Sequence, residues 1–273
     1  MASTSITESI EFAKEELKKF NDISIEPIAH KYSDSKGTVY TSVTTFVGKF
    51  AVPFDKCKMA LRCALRDARP VNEVLDEWEQ KGAYARCLGT EVHAVMEHLW
   101  KQDENKPDYD AMSKFPGMIE DFEYRKGICV DLYEKMKNVY EPIANEVIVN
   151  DSALGLSGTI DFVAYNKRTD TIDILDWKTS KQFSVSSGSQ KMKEPFGAFP
   201  NTNVSEYSLQ LSLYKYIVEK HTDLKINELR LFQIPGKGKM KTIKCYDMVY
   251  LLKTKLFNAE TLSNGEILEF SQK

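Results

Sequence analysis

Gly158-Thr-Ile-Asp161-Phe-Val163 and Thr171-Ile-Asp-Ile-Leu-Asp176-Trp-Lys178 are two β-branched and aromatic runs flanking the turn-like Asn166-Lys-Arg-Thr-Asp170. They read as the strands of a hairpin. With Lys167 to Asp170 as a four-residue loop, Asn166 pairs with Thr171, and counting back sets Asp161 opposite Asp176. Side chains alternate along a strand, so Asp176 and Lys178 emerge on one face and Leu175 and Trp177 on the other. Two carboxylates and an ammonium then share a patch on the face that Ile172 and Ile174 mark as buried. Such burial is costly unless a cation or hydrogen bonds compensate.

An Asp-x-Lys pair alone also fits a salt bridge on a solvated strand, worth under ~1 kcal/mol. The isoleucine flanks and Asp161 are what favour a functional cluster. Hard oxygen ligands at this spacing suit magnesium or manganese. A divalent cation held by Asp161 and Asp176 polarises a phosphodiester and acidifies a bound water, and Lys178 is placed to orient that water and stabilise the developing charge.

Working outward, Glu146 to Val149 reads as a preceding strand, and residues 204 to 220 return to helical spacing through Leu209, Leu213, Tyr216 and Ile217. Glu228 to Ile234 and Thr242 to Tyr250 read as a strand pair around Pro235-Gly-Lys-Gly, before a C-terminal helix near 247 to 262. Upstream, Ser5-x-x-Glu8 is a capping box opening a helix over 6 to 20, and Thr38 to Val47 reads as a short strand running into a helix. Residues 54 to 69 and 71 to 101 read as helices separated by Pro70, the second weakened at Gly82 and Gly89. The order helix, three strands, helix, strand implies an α/β fold with a mixed central sheet. One compact domain is expected, with residues 1–80 as an N-terminal helical region packed on a core of 81–273.

Composition bounds the function. Basic and acidic residues number 37 and 40, net −3, so bulk charge cannot coat nucleic acid and any such site is a local patch. Two patches qualify: Lys178, Lys181, Lys191 and Lys193 with no intervening acid, and Lys237, Lys239, Lys241 and Lys244. Overlapping the first patch, residues 181–203 form a long connection carrying Phe183, Phe196 and Phe199, which are candidates to stack on unpaired bases. That connection is expected to order over a single strand as a gate. No stretch is apolar enough to span a bilayer, and the acidic N-terminus (Glu8, Glu11, Glu15, Glu16) does not indicate mitochondrial import, so an intracellular, cytoplasmic protein is expected. The five cysteines are scattered with no CxxC pair, which favours reduced thiols over disulfides or structural zinc.

Gly158-Thr-Ile-Asp161 followed by Asp176-Trp-Lys178-Thr-Ser resembles the core motif of the PD-(D/E)xK nuclease superfamily, in its RecB-like exonuclease branch. Leu88-Gly-Thr-Glu-Val-His93-Ala-Val-Met-Glu97 resembles the Gly-Thr-x-x-His-x-x-x-Glu helix of that branch, and Tyr207-Ser-Leu-Gln210-Leu-Ser-Leu-Tyr214 its Gln-x-x-x-Tyr helix. Tyr40-Thr-Ser-Val-Thr-Thr together with Asp176-Trp-Lys-Thr-Ser-Lys181 looks most like the mitochondrial genome maintenance exonuclease and related phage or viral nucleases.

The resemblance implies a restriction-endonuclease-like core, with catalysis by Asp161, Asp176 and Lys178 and metal ligation by His93, Asp161, Asp176 and Trp177. It further implies substrate contacts from Gln210, Tyr214 and Lys181, and supporting roles for Glu97 and Glu146. The cofactor is one or two magnesium or manganese ions. Only Cys245 follows the Gln-x-x-x-Tyr segment, so no iron-sulfur cluster is expected. The implied activity is a DNA exonuclease on single-stranded or frayed ends in replication, recombination or repair. Its alternatives are a structure-specific or sequence-specific endonuclease and a non-catalytic DNA-binding module.

Overall fold

The computed structural model of the chain describes residues 5–26, 31–103 and 106–258. Ser5 opens α1 (Ile6–Leu17) with the predicted capping box: its hydroxyl accepts the Glu8 N–H and the Glu8 carboxylate accepts the Ser5 N–H. Short strands β1 (Ile23–Glu26), β2 (Lys31–Asp34) and β3 (Val39–Ser42) follow. Ser42 then caps α2 (Val43–Gly48) by accepting the Thr45 N–H, so strand turns into helix where expected.

A left-handed Ala68 and Pro70 separate α3 (Lys56–Asp67) from α4 (Val71–Lys101). The latter runs unbroken for 31 residues, so Gly82 and Gly89 do not weaken it enough to interrupt it. The short α5 (Tyr109–Ser113) and long α6 (Met118–Met136) precede β4 (Tyr140–Asp151), β5 (Leu156–Asn166) and β6 (Thr171–Lys178). After the long connection come α7 (Asn203–His221), β7 (Ile226–Gln233), β8 (Lys241–Lys244) and a single turn, α8 (Val249–Leu251). The expected C-terminal helix is thus reduced to α8 and a π-turn over Leu252–Leu256, and its remainder from 259 lies outside the described residues. No described helix is long and apolar enough to cross a membrane.

The sheet is mixed, in the order β1-β2-β3-β5-β6-β7-β8 with β4 also on β5. β4, β5 and β6 form an antiparallel meander, while β6 and β7 are parallel and joined across α7. The Asn166–Thr171 and Phe162–Leu175 pairs confirm the hairpin register that places Asp161 across from Asp176. One face of the sheet packs on α1, α2 and α7 through Leu17, Phe46, Leu209 and Leu213. The other packs on α4 and α6 through Val92, Met96, Phe122 and Cys129.

Alternation along β5 breaks at one place. Val163 and Tyr165 belong to the α7-side core and Phe162 and Ala164 to the α4-side core, yet Ile160 lies on the α7 side. Asp161 is the residue at the break. Opposite it on β4, between the Asn145–Phe162 and Val147–Ile160 pairs, Glu146 has φ +49°, a left-handed conformation that costs a non-glycine residue about 1–2 kcal/mol. The irregularity turns both carboxylates out of regular strand packing.

β3 joins β5 in parallel only at Leu156 and Ser157, whereas β6 joins it only from Phe162 to Asn166. The sheet therefore forks between these contacts, and Gly158 lies in the fork. A Cβ at Gly158 would stand 2.7 Å from the Tyr214 ring, 2.9 Å from its hydroxyl and 3.2 Å from Val43. Gly158→Ala should lower the unfolding free energy by about 1–3 kcal/mol in urea titrations, the usual cost of overpacking. A loss under about 0.5 kcal/mol would mean that the Tyr214 ring moves aside freely.

Candidate active site

Five charged side chains converge at the fork. His93 reaches in from α4, with Nδ1 3.4 Å from Asp161 Oδ2 and 3.8 Å from Glu146 Oε1. The Asp161 carboxylate also accepts the Trp177 N–H at 2.9 Å, beyond the last β5–β6 pair. Asp176, 1% exposed, is paired with Lys178, whose Nζ lies 3.0 Å from Oδ1 and 2.9 Å from Oδ2. The second contact is an ion pair without an aligned hydrogen bond, so Asp176 Oδ2 is buried with no hydrogen bond of its own.

The backbone of Lys178 is held on its C-terminal side. Its carbonyl accepts the Ile234 N–H, and the next carbonyl, of Thr179, accepts from the buried Arg125 guanidinium at 3.1 Å. Arg125 also donates to the Ile234 carbonyl and to Asp121, joining α6 to the ends of β6 and β7. Gln233 fixes the segment further by donating to the Ser180 carbonyl at 2.8 Å.

The electrostatics follow from crowding like charges. Burial and the neighbouring Asp161 push the Asp176 carboxyl up to about 6. Burial likewise raises Asp161, against the pull of His93 and Lys178. For His93, burial opposes protonation, but Asp161 and Glu146 outweigh it and raise the imidazole to about 9. For Lys178, burial is outweighed by Asp176 and Asp161, and the ammonium is raised above its ordinary value.

This donor set fits a hard divalent cation. One ligand atom each of His93, Glu146 and Asp161 lies within 4.8 Å of the others, and Asp176 Oδ2 receives no hydrogen bond beside its ion pair with Lys178. Trp177 presents only its main chain, because its indole is buried between Phe162 and Phe232. Glu146 thus belongs with the cluster itself. Glu97 does not: its carboxylate pairs with Lys101 one turn along α4.

Gln210 Nε2 donates to the Tyr214 hydroxyl at 3.1 Å. Tyr214 is buried against Gly158, and the half-buried Gln210 stands in front of it. Lys181 is exposed and lines a groove of about 690 Å³ with Tyr84, Asp121 and Arg125.

The stacking role is corrected for Phe196, and the half-buried Phe183 and Phe199 already have aromatic partners within the protein. Phe196 is wholly buried against Phe50, Phe199 packs on the core and Tyr246, and Phe183 packs on Tyr207. Much of the connection is likewise anchored, by Met192 in the core, the Met192–Phe199 and Asn201–Gln190 hydrogen bonds, and the Lys193 N–H on the Phe50 carbonyl. Only 181–189 lacks such buried anchors among its own side chains, with Val185 largely exposed.

A folded-state pKa raised above the unfolded value means stability that falls as pH rises between the two. For Asp176 that window runs from about 4 to about 6, and for His93 from about 6.5 to about 9. Metal-free protein should therefore melt at falling temperature across both windows. Asp176→Asn should flatten the first and raise the melting temperature at pH 8. A steeper fall in the variant, or a lower melting temperature at pH 8, would contradict the assigned crowding.

The family model of the PD-(D/E)XK nuclease superfamily matches residues 56–264, well over half of the chain. No curated protein matches it. The matched span contains the meander, the α7 crossover and the residues His93, Asp161, Asp176 and Lys178, while β3 on the other side of the fork precedes it. On the length of that match, the chain belongs to the PD-(D/E)XK nuclease superfamily.

Proposed function

We propose that the chain is a magnesium- or manganese-dependent deoxyribonuclease of the RecB-like branch, acting as an exonuclease on single-stranded or frayed DNA ends. The observation that carries the hydrolytic reading is the convergence of His93, Glu146 and Asp161 beside the Asp176–Lys178 pair. His93, Asp161 and Asp176 would hold the ion, with Glu146 and the Trp177 main chain beside them. When bound, it supplies Lewis acidity to the phosphodiester and to the attacking water.

The protein supplies the rest. Lys178, kept protonated by Asp176 and Asp161 despite its burial, offers a fixed positive charge to the phosphoryl oxygens as negative charge builds. Its backbone, tied by Arg125 and Ile234, spends little energy on reorganisation. Gln210 meets the strand while Tyr214 behind it fixes the amide, and Lys181 contacts phosphate. The exposed Lys237, Lys239 and Lys241 on the β7–β8 turn extend the positive surface away from the acidic cluster.

The preference for ends rests on the motif resemblance of the His93 and Gln210 helices, and it is directly testable. Linear and circular single-stranded DNA, labelled separately at each end, are incubated with wild type or Lys178→Ala in magnesium, manganese or chelator. Metal-dependent loss of linear DNA alone, reduced about 10²-fold or more by the substitution, is expected from removal of a charge that stabilises the transition state. Cutting of circles would establish an endonuclease, and binding without cutting a non-catalytic module. Manganese should also raise the melting temperature of wild type and much less that of Asp161→Ala.

A further inference from the structure

Lys178 has a second partner besides Asp176. Its Nζ lies 4.8 Å from the ring centroid of Tyr207, over the face of the ring. Tyr207, Gln210 and Tyr214 are at i, i+3 and i+7 of α7, so one helix face presents all three to the fork. The ring is itself held. Phe183 packs against it at 6.4 Å between centroids and 67° between planes. The stretch carrying Phe183 is clamped to the start of α7, because Asn203 accepts the Ser184 N–H at 2.9 Å and donates to the Gln182 carbonyl at 3.0 Å.

We propose that Tyr207 is a positioning residue for Lys178, and that the Asn203–Phe183 clamp keeps Tyr207 in place. The inference rests on Lys178 acting in hydrolysis as proposed above. A divalent cation and the Lys178 ammonium draw on the same Asp176 carboxylate, so ligation weakens the ion pair seen here. A lysine side chain is long and flexible, and without a second partner it would lose its orientation when it is needed. An aromatic face attracts an ammonium but is no ligand for a hard cation, so it stays with the lysine. This also gives the residues just beyond β6 a role: through Phe183 they set the wall on which the lysine rests.

The test uses the full chain with Tyr207→Leu and Tyr207→Phe, each checked for folding by its melting curve. On linear single-stranded DNA at saturating manganese, Tyr207→Leu should lower kcat about tenfold with KM changed less than about twofold. Tyr207→Phe, which keeps the ring, should restore most of that loss. In metal-free protein with ¹³C-labelled lysine, the Lys178 Cε protons should be shifted upfield by the ring in wild type and Tyr207→Phe, and should lose that shift in Tyr207→Leu.

Unchanged kcat in Tyr207→Leu, a loss confined to KM, or a Lys178 resonance with no ring shift in wild type would overturn the proposal. Should Tyr207→Leu fail to fold, Tyr207→Met serves in its place with the same expected results. A wild type that cuts no DNA would overturn the hydrolytic reading. The resonance then decides the positioning claim: loss of the ring shift in Tyr207→Leu supports it, and retention overturns it.

Discussion

Like charges on adjacent strands repel, and this fold brings Glu146, Asp161 and Asp176 together from three neighbouring strands where the β4–β5 ladder is irregular and the β5–β6 ladder ends. Most of the local structure answers that conflict. His93 from one side of the sheet and Lys178 from its edge bring positive charge to the row, and Trp177 offers a backbone N–H. The balance is incomplete: Asp176 Oδ2 has the Lys178 ion pair but no hydrogen bond, and the carboxyl is raised by burial and by Asp161. A site that is electrostatically unfinished in the protein alone has a physical reason to take up a cation, whereas a surface salt bridge has none.

Geometry at the site follows from the fork. If β6 stayed on β5 to its end, Lys178 would be paired on both sides instead of with β7 alone, and the cleft would be closed. Instead β6 leaves β5 beyond Phe162 and continues beside β7, where Arg125, Gln233 and Ile234 fix its last residues. β3 enters at the other end of β5, with α2 and Tyr214 closing on Gly158. Backbone strain at Glu146 is concentrated at the same rung, as expected where surrounding structure over-determines a functional residue.

Much of this was legible from residues alone. The loop length between Asn166 and Thr171 fixes a register, and a register fixes which carboxylates meet, so Asp161 and Asp176 could be paired by counting. His93 and Gln210 were legible through resemblance and helical spacing. Glu146 was underrated because a left-handed residue inside a strand leaves no trace in a β-branched pattern. β1 and β2 are too short for periodicity to reveal. α6 was not read, although Met118, Phe122, Cys129, Leu132 and Met136 repeat at helical spacing, because Arg125 interrupts the stripe and its partners on β6 and β7 are remote in sequence. Phe196 and Phe199 misled because a Ser- and Gly-rich connection reads as open, while Met192 and Phe196 in fact bury it in the core. Tyr207 opens the stretch that resembles the Gln-x-x-x-Tyr helix, but its place against Lys178 shows only in three dimensions.

The central claim is that one cation site is built at the forked edge by His93, Asp161 and Asp176, with Glu146 beside them. A crystal of the full chain soaked in manganese, measured with anomalous scattering, tests it most directly. The account predicts a peak within coordination distance of these side chains, with Lys178 displaced from Asp176 but still over the Tyr207 ring. A peak confined to other carboxylates, or none at the fork with Asp176 still paired to Lys178, would contradict it.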